Sequence, residues 1–512
     1  MLQSKVETEL LTPSSGIQDS SELKVESTND ERSSEVKDQK AFRHTELEGY
    51  QLAKDRERRV SKVPKRYGIA DLVSYALMVA NDVSGEEPIS YKEAMRSKQI
   101  SEWLTTMKEE IASLKKNDTW VLVDKPTNKK LVGSKWVFKL NEWITGVEKS
   151  RYKARLVVKG FTQREGVDFN EVFSPVVKYS SIRVLLAITA ALDLELDHMD
   201  VKTTFLHGNL DEEILMSQLE GFIEEGKKDK VCLLKKILYG LKQSPHQWYL
   251  RFDDFMLSHG YQRSQYDCCV YYKILSSGHT IYLLLYVDDM LIACKLKEEM
   301  KKLKKELSFE FEMKNLGPAK KILRMKIVRG RSEKMLFLTQ TDYVRKVLDR
   351  FGMLSSKSVS TSFATHIKLS KQQEPTREVD MEYMVRILYS SAVGSIMYVM
   401  VCSRPDIAFG VGMVSRYMGN PGKSHWESIK WILRYLNGSI RHDIMFGRVN
   451  NTSCKILGFV DSDFVGDIDK RRSVTGFVFT LFRGAVRWKS SLQPVVTLST
   501  TEAEYIAHRI CK

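Results

Sequence analysis

Apolar positions are distributed unevenly along the 512 residues. From residue 1 to about 62, Ser, Glu and Lys dominate and no apolar period persists, so this stretch is expected to lack fixed structure. The basic run KDRERRVSKVPKR (54–66) closes it and reads as a solvated linker. Folded sequence begins near Glu87-Pro88. Ile100, Trp103, Leu104, Met107, Ile111 and Leu114 recur at helical spacing and predict a helix that packs by that stripe. Short runs at Trp120–Val123, Lys135–Leu140 and Lys153–Lys159 predict strands. Ser180 or Ser181 is placed to cap a helix through RVLLAITAAL (183–192), and the strand LELDHMDV (194–201) follows it.

Beyond it, a turn at Tyr239-Gly240 leads into a helix through QWYLRFDDFML (247–257). Residues 281–294 place two apolar arms around an acidic tip, and a Lys-rich helix is expected over 296–307. A strand at LFLT (336–339) precedes helices through YVRKVLDRF (343–351), SAVGSIMYVM (391–400) and HWESIKWILRYL (425–436). Several strands between Lys455 and Leu498 and one helical turn close the chain, with no internal repeat.

Composition narrows the possible functions. Apolar residues make up 43%, enough for substantial cores, and length allows three or four domains. The net charge of +15 favours a polyanionic partner, either nucleic acid or an anionic membrane surface. The longest apolar run, Ile281–Tyr286, is far too short to span a bilayer, and the N-terminus has no apolar signal-peptide core; both weigh against a membrane. Cys232, Cys268, Cys269, Cys294, Cys402, Cys454 and Cys511 form no C-x-x-C pair and no zinc-ligand spacing, a usage that suits a reducing interior.

The acidic tip carries most of the candidate chemistry. Two apolar arms around Tyr286-Val287-Asp288-Asp289 imply buried strands joined by a tight turn. Such turns normally use Asn-Gly or Asp-Gly; this one has adjacent carboxylates and no glycine. Like charges on a buried hairpin raise each other's pKa and cost stability, and a divalent cation with hard oxygen ligands, such as Mg²⁺, would remove that cost. An ordinary acidic turn is the alternative. Asp200, which ends the strand LELDHMDV, shares a strand face with Leu196 and His198. Three carboxylates from two neighbouring strands can hold two metal ions about 3.5–4 Å apart, the arrangement nucleotidyl transfer requires.

The phrases around these acids resemble the reverse transcriptase of copia-type LTR retrotransposon Pol polyproteins. They are KARLVVKGFTQREGVDFNEVFSPV (153–176), MDVKTTFLHGNL (199–210), LYGLKQSPHQWY (238–249), LLLYVDDMLIAC (283–294), CSRPDIAFGVGMVSRYM (402–418), HWESIKWILRYL (425–436), DSDFVGD (461–467) and STTEAEYIA (499–507). All eight stand in the family's order, and the resemblance runs from about 85 to 512.

The resemblance implies an α+β chain: a right-hand polymerase of fingers, palm and thumb, a connection region, and an incomplete RNase H-like α/β domain. The expected division is a disordered linker over 1–86, fingers and palm over 87–295, thumb and connection over 296–450, and the first part of the RNase H-like domain over 451–512. It makes Asp200, Asp288 and Asp289 the catalytic metal ligands, holding two Mg²⁺ with Mn²⁺ as a substitute. Lys153 and Arg155 would grip the nucleotide triphosphate, or else belong to a basic edge strand. Phe205 stands where an aromatic gate excludes ribonucleotides, or else is a core aromatic. Gly240, Lys242 and Gln243 would line the nascent base pair, the glycine allowing close backbone approach.

In the last sixty residues, Asp461 and Glu504 match two of the four RNase H metal ligands. Ser499 and Glu502 form a capping box, so Glu502 is read as structural. The strands of this part are expected to lack covering helices on one sheet face and to be loosely ordered, and RNase H activity is expected to be absent. The implied partners are an RNA template, a DNA or RNA primer, deoxynucleotides and other retrotransposon proteins of a cytoplasmic virus-like particle with a nuclear phase. Gag, protease and integrase motifs are missing, so only the end of such a polyprotein is covered. Three departures stand out. His246 stands where Arg is usual in SPRQW, and Arg324 and Lys326 stand in LRMKI where LGMEI is usual. They leave open a catalytically inactive remnant that at most binds nucleic acid.

Overall fold

The computed structural model describes residues 4–9, 87–127, 129–141, 151–208, 210, 212–447 and 455–511. The readings placed on residues 10–86, the basic run included, lie outside the described residues. Ser4–Glu9 forms strand β1, which corrects the expectation of a structureless N-terminus at those positions. Its backbone pairs antiparallel with Lys455–Ser462, from Ser4 opposite Val460 to Glu9 opposite Lys455. Such pairing uses main-chain N–H and C=O groups, so the hydropathy of the segment carries no trace of it.

The predicted stripe forms helix α1 (Ile100–Lys116), which buries Trp103, Met107, Ile111 and Leu114 and leaves Ile100 exposed. Strands β2 (Trp120–Asp124), β3 (Ser134–Asn141) and β4 (Arg151–Val158) follow, and β3 and β4 pair as a two-stranded ribbon. The Trp103 ring meets Phe138 and Tyr152 edge-on at 5.2 and 4.7 Å, fixing α1 against that ribbon. Helix α2 (Tyr179–Ala191) is capped differently from expectation. Neither Ser180 nor Ser181 is its N-cap. The Asp267 carboxylate instead accepts from the Lys178 N–H at 2.9 Å and from the Ser181 hydroxyl at 2.5 Å, so a remote acid satisfies the helix start.

The sheet that carries the acids is assembled next. In chain order its neighbourhood comprises β5 (Glu195–Val201), β6 (Leu215–Met216), β7 (Lys230–Leu234), α3 (Ser244–Ser258), β8 (Gln262–Arg263), β9 (Val270–Ile274), β10 (Thr280–Tyr286), β11 (Asp289–Cys294), α4 (Lys297–Glu310) and β12 (Met313–Pro318). Six of these strands form one sheet in the order β12-β5-β11-β10-β9-β8. Leu283 to Leu285 and Met290 to Cys294 are almost fully buried, so the apolar arms of the hairpin are core on both faces.

A second sheet, β13 (Lys321–Ile322), β14 (Met325–Gly330), β15 (Met335–Thr339) and β16 (Ile444–Gly447), brackets the helical segment. That segment holds α5 (Thr341–Arg350), α6 (Tyr389–Cys402), α7 (Ala408–Val414) and α8 (Lys423–Gly438). The C-terminal sheet consists of β17 (Lys455–Ser462), β18 (Val474–Leu481) and β19 (Gly484–Leu492), with β1 on the edge of β17. A three-turn helix, α9 (Thr500–Cys511), replaces the single turn expected.

The expectation of an uncovered, loosely held sheet is also corrected. Val460, Phe477 and Ala507 form a core between the sheet and α9. On β19, Trp488 stacks 3.9 Å from the buried Arg183 guanidinium of α2 and donates its Nε1–H to the Met400 carbonyl at 3.1 Å. Arg183 donates to the Val486 carbonyl at 2.8 Å and to the Val401 carbonyl at 2.9 Å. One cation thus ties α2, α6 and β19 together. Among the described residues no single helix is long and apolar enough to cross a bilayer.

Two of the noted departures fall on one hairpin. The loop between β13 and β14 is Leu323-Arg324, with φ of +47° and +57°. Arg324 thus occupies a left-handed position where glycine carries no Cβ penalty. Lys326 lies directly opposite Lys321, like charge against like charge. Replacing Arg324→Gly and Lys326→Glu together should stabilise the chain by roughly 1–2 kcal/mol. Urea unfolding followed by circular dichroism measures this, and an unchanged or lower midpoint would refute the strain argument.

Candidate active site

The register of β5 and β11 sets Asp200 opposite Asp289. Tyr286 pairs with Asp289, leaving Val287 and Asp288 as a two-residue loop. Positive φ, which the absence of glycine made puzzling, is taken by Val287 at +56°, an unusual conformation for a β-branched residue. Two hydrogen bonds hold this strained tip. The Trp248 indole N–H donates to the Val287 carbonyl at 2.7 Å, and the Val201 N–H donates to the Asp288 carbonyl at 2.9 Å. Pinning from α3 on one side and β5 on the other sets Asp288 beside Asp200.

The acids feel burial and one another. Burial, then Asp288 and Asp289, push the Asp200 carboxyl above the usual range, while Lys153 and His198 pull it down. Burial, then Asp289, raise Asp288, against the pull of its own backbone, Arg155 and Lys153. His198, two residues before Asp200 on the same strand face, places Nε2 at 2.9 Å from Asp289 Oδ1. Among the described residues, no three His, Cys, Asp or Glu side chains are arranged so as to hold a metal ion. The donor set and its uncompensated charge nonetheless suit a hard divalent cation: three carboxylates, two of them held above their ordinary pKa by like charge and burial.

The cations expected to meet a nucleotide lie where their fields reach these acids. Arg155 stacks on Tyr239 at 4.4 Å, and the half-buried Glu110 of α1, which is raised by burial, is pulled down by both Arg155 and Lys153. Phe205 is 8% exposed and meets the Tyr239 ring edge-on at 4.7 Å. Gly240 has φ +94°, and a Cβ there would come 2.1 Å from the Val158 carbonyl, so the close approach expected of it occurs against β4.

Lys242 and Gln243 sit differently. Lys242 lies over the Phe169 ring at 4.5 Å. Gln243 is 1% exposed; its amide donates to the Asp168 carbonyl and to Glu212, both at 3.1 Å, and its oxygen accepts from Gln163 at 3.1 Å. Gln243 therefore braces this segment from inside rather than facing the cleft. His246 donates from Nδ1 to the Phe173 carbonyl, a bond that an arginine could equally make.

The second pair of acids belongs to the C-terminal sheet. Asp461 is exposed on β17 and Glu504 half-buried on α9, which packs on β17. Ser499 accepts from the Glu502 N–H at 3.1 Å, and Glu502 accepts from the Leu498 N–H at 2.7 Å, so Glu502 serves the helix start as expected. Sequence reasoning missed Tyr239, Trp248 and the His198–Asp289 bond. For His198 the signal was present, because the period of two placed it beside Asp200. It also missed the anchoring of the loop after β17, where Asp469 accepts from the Lys371 N–H at 3.0 Å and from the Tyr417 hydroxyl at 3.1 Å.

Residues 117–365 match the family model described as reverse transcriptase (RNA-dependent DNA polymerase). A retrovirus-related Pol polyprotein from transposon TNT 1-94 of Nicotiana tabacum is 53% identical over 421 residues, 82% of this chain and 31% of the relative. The Pol polyprotein from transposon RE2 of Arabidopsis thaliana is 35% identical, covering 84% of this chain and 28% of the relative. A putative transposon Ty5-1 protein of Saccharomyces cerevisiae is 30% identical, covering 60% of this chain and 97% of that protein. The chain thus spans about a third of the length of the first two relatives. A foamy viral protease–reverse transcriptase, solved in complex with double-stranded DNA, superposes with a TM-score of 0.36 at 11% identity, over 80% of this chain and 59% of that one.

A carboxyl whose pKa is raised on folding stabilises the folded state when protonated. That contribution is present below the ordinary carboxylate range and is lost as pH rises through the raised value. At pH 7 in chelator, Asp288→Asn should therefore melt above the parent chain, and the gap should close as pH falls towards 4. Mg²⁺ should raise the melting temperature of the parent more than that of the variant. Scanning calorimetry decides; a variant less stable than the parent at pH 7 would contradict the electrostatic reading.

Proposed function

Because the chain belongs to the family of retrovirus-related transposon Pol proteins and carries their reverse transcriptase domain, we propose that it is an RNA-directed DNA polymerase that adds deoxynucleotides to a primer 3′-hydroxyl. The observation that carries this reading is the juxtaposition of Asp200 on β5 with Asp288 and Asp289 of a strained, pinned hairpin, within the field of Lys153 and Arg155. On this reading the chain is the fingers, palm, thumb and connection of a right-hand polymerase, with the β17–β19 sheet and α9 as an RNase H-like portion.

The three aspartates would hold two Mg²⁺, or Mn²⁺ in substitution, with His198 releasing Asp289 to them. When bound, such a pair activates the primer hydroxyl and neutralises the triphosphate. The protein's own groups do the rest. Lys153 and Arg155 would bind phosphate oxygens, with Arg155 held against the Tyr239 ring. Tyr239 and Phe205 form an aromatic wall where the sugar would lie. Gly240 lets that wall approach β4. Template and primer are held by the chain's net positive charge. Asp461 and Glu504 would be two of the four acids that RNase H chemistry uses. Cytoplasmic particles, with a nuclear phase, are the proposed location.

The inactive remnant is the second reading, and the strained hairpin at 321–326 favours it. Its departures lie away from the acids, whose supporting bonds are intact. Primer extension on an RNA template separates the two. Asp288→Asn should lose at least 10³-fold in rate, because one ligand charge serves both metal positions, while primer–template affinity stays within about twofold, since phosphate contacts dominate it. Extension by Asp288→Asn at the parental rate would exclude the assignment.

The sugar wall gives a further test. Phe205→Ala should raise ribonucleotide incorporation relative to deoxyribonucleotide by tenfold or more, as a missing steric contact of about 1.4 kcal/mol allows. Lower stability with an unchanged ratio would instead make Phe205 a core aromatic beneath Tyr239.

A further inference from the structure

A second cleft, which the polymerase reading does not use, lies behind the catalytic turn. It measures about 300 Å³, and His207, Lys235, Lys236, Arg251, Glu310 and Phe311 line it. The turn after β5, the end of β7, helix α3 and the last turn of α4 each contribute. Three cations therefore meet in one cleft with a single lining carboxylate, Glu310, which is already bonded to Arg251. Lys235 is tied to Asp118 at 2.7 Å. Among the described residues Lys236 has no carboxylate partner.

His207 has an unmet demand of its own. Its ring is held edge-on to Phe311 at 5.5 Å, and Nε2 is buried with no hydrogen-bond partner among the described residues. Burial, with Lys236 and Arg251, favours the neutral ring, against the pull of the Lys202 backbone and Glu312. An orphan buried nitrogen costs free energy, and so does surplus positive charge in a recess. A tetrahedral oxyanion would satisfy both, accepting charge-assisted bonds from Lys236 and Arg251 and one from a protonated His207.

We propose that this cleft is a phosphate-binding site separate from the catalytic acids. The proposal does not rest on the polymerase assignment. The phosphate comes either from a nucleic-acid backbone or from a free phosphate ion, and the two sources are separable by experiment. The cleft is also joined to the catalytic turn. Trp248, whose ring lies 6.0 Å from that of His207, is the residue that holds the Val287 carbonyl.

Sulfate is the probe, because its charge is constant between pH 6 and pH 8. Isothermal titration calorimetry of the full chain should show saturable sulfate binding. Lys236→Gln should weaken it at least tenfold, and Lys236→Arg should restore it, which guards against a folding defect in the first variant. Fluorescence anisotropy with a labelled primer–template over a salt series then identifies the source. A salt slope lowered by about one in Lys236→Gln supports a backbone phosphate, as loss of one phosphate contact requires. Weakened sulfate binding with an unchanged slope supports a free phosphate. Absence of saturable sulfate binding, or binding untouched by Lys236→Gln in a folded protein, overturns the proposal.

Discussion

Three carboxylates, two at the tip of one buried hairpin and the third, Asp200, on the strand beside it, are the constraint around which the rest of this structure is arranged. Alone, such a tip would be unstable twice over. Like charges repel in a low-dielectric setting, and Val287 holds a backbone conformation that branched residues avoid. The fold holds both in place. Trp248 and Val201 pin the turn by its carbonyls, the arms bury Leu283 to Leu285 and Met290 to Cys294, and His198 takes one oxygen of Asp289. Lys153 and Arg155 offset part of the charge from the opposite side. What remains uncompensated is what a divalent cation would supply, so strain and charge here read as preorganisation.

Much of this was legible in the sequence because its signals are local. Apolar arms around acids gave the hairpin, and a period of two put Asp200 and His198 on one strand face. The stripe from Trp103 to Leu114 gave α1. What escaped detection depends on partners far away in the chain. Asp267 caps α2 from 89 residues beyond Lys178. Gln243, read as lining the cleft, is braced by Gln163 from 80 residues earlier and faces inward. Strand β1 has no hydropathic signature, since its pairing is carried by the backbone alone. The left-handed turn at Leu323-Arg324 shows the reverse: an unusual residue was visible in sequence, and the backbone angle explains why it is unusual.

The C-terminal sheet is integrated rather than appended. Arg183 lies in the helix leading to the Asp200 strand, yet stacks on Trp488 and bonds across 303 residues to Val486. Asp469 and Asp467, in the loop after β17, reach Lys371, Tyr417 and Arg416. The sheet that carries Asp461 and Glu504 is thus anchored to α2 and to the helical segment. A buried arginine with several carbonyl partners is costly to disturb, because removing it strands every acceptor at once. Physical continuity from β19 through α2 to β5 links this sheet to the acids.

The central claim is that the hairpin acids are a metal-dependent nucleotidyl-transfer site. The measurement that tests it most directly is the rate of primer extension on an RNA template by the purified chain, followed against free Mg²⁺ at saturating primer–template and deoxynucleotide. The account predicts no extension in chelator and a rate that rises with an order approaching two in Mg²⁺ before saturating, since two ions share three aspartates. A folded chain that binds primer–template yet extends nothing at any Mg²⁺ concentration, or one that extends equally well in chelator, would contradict it.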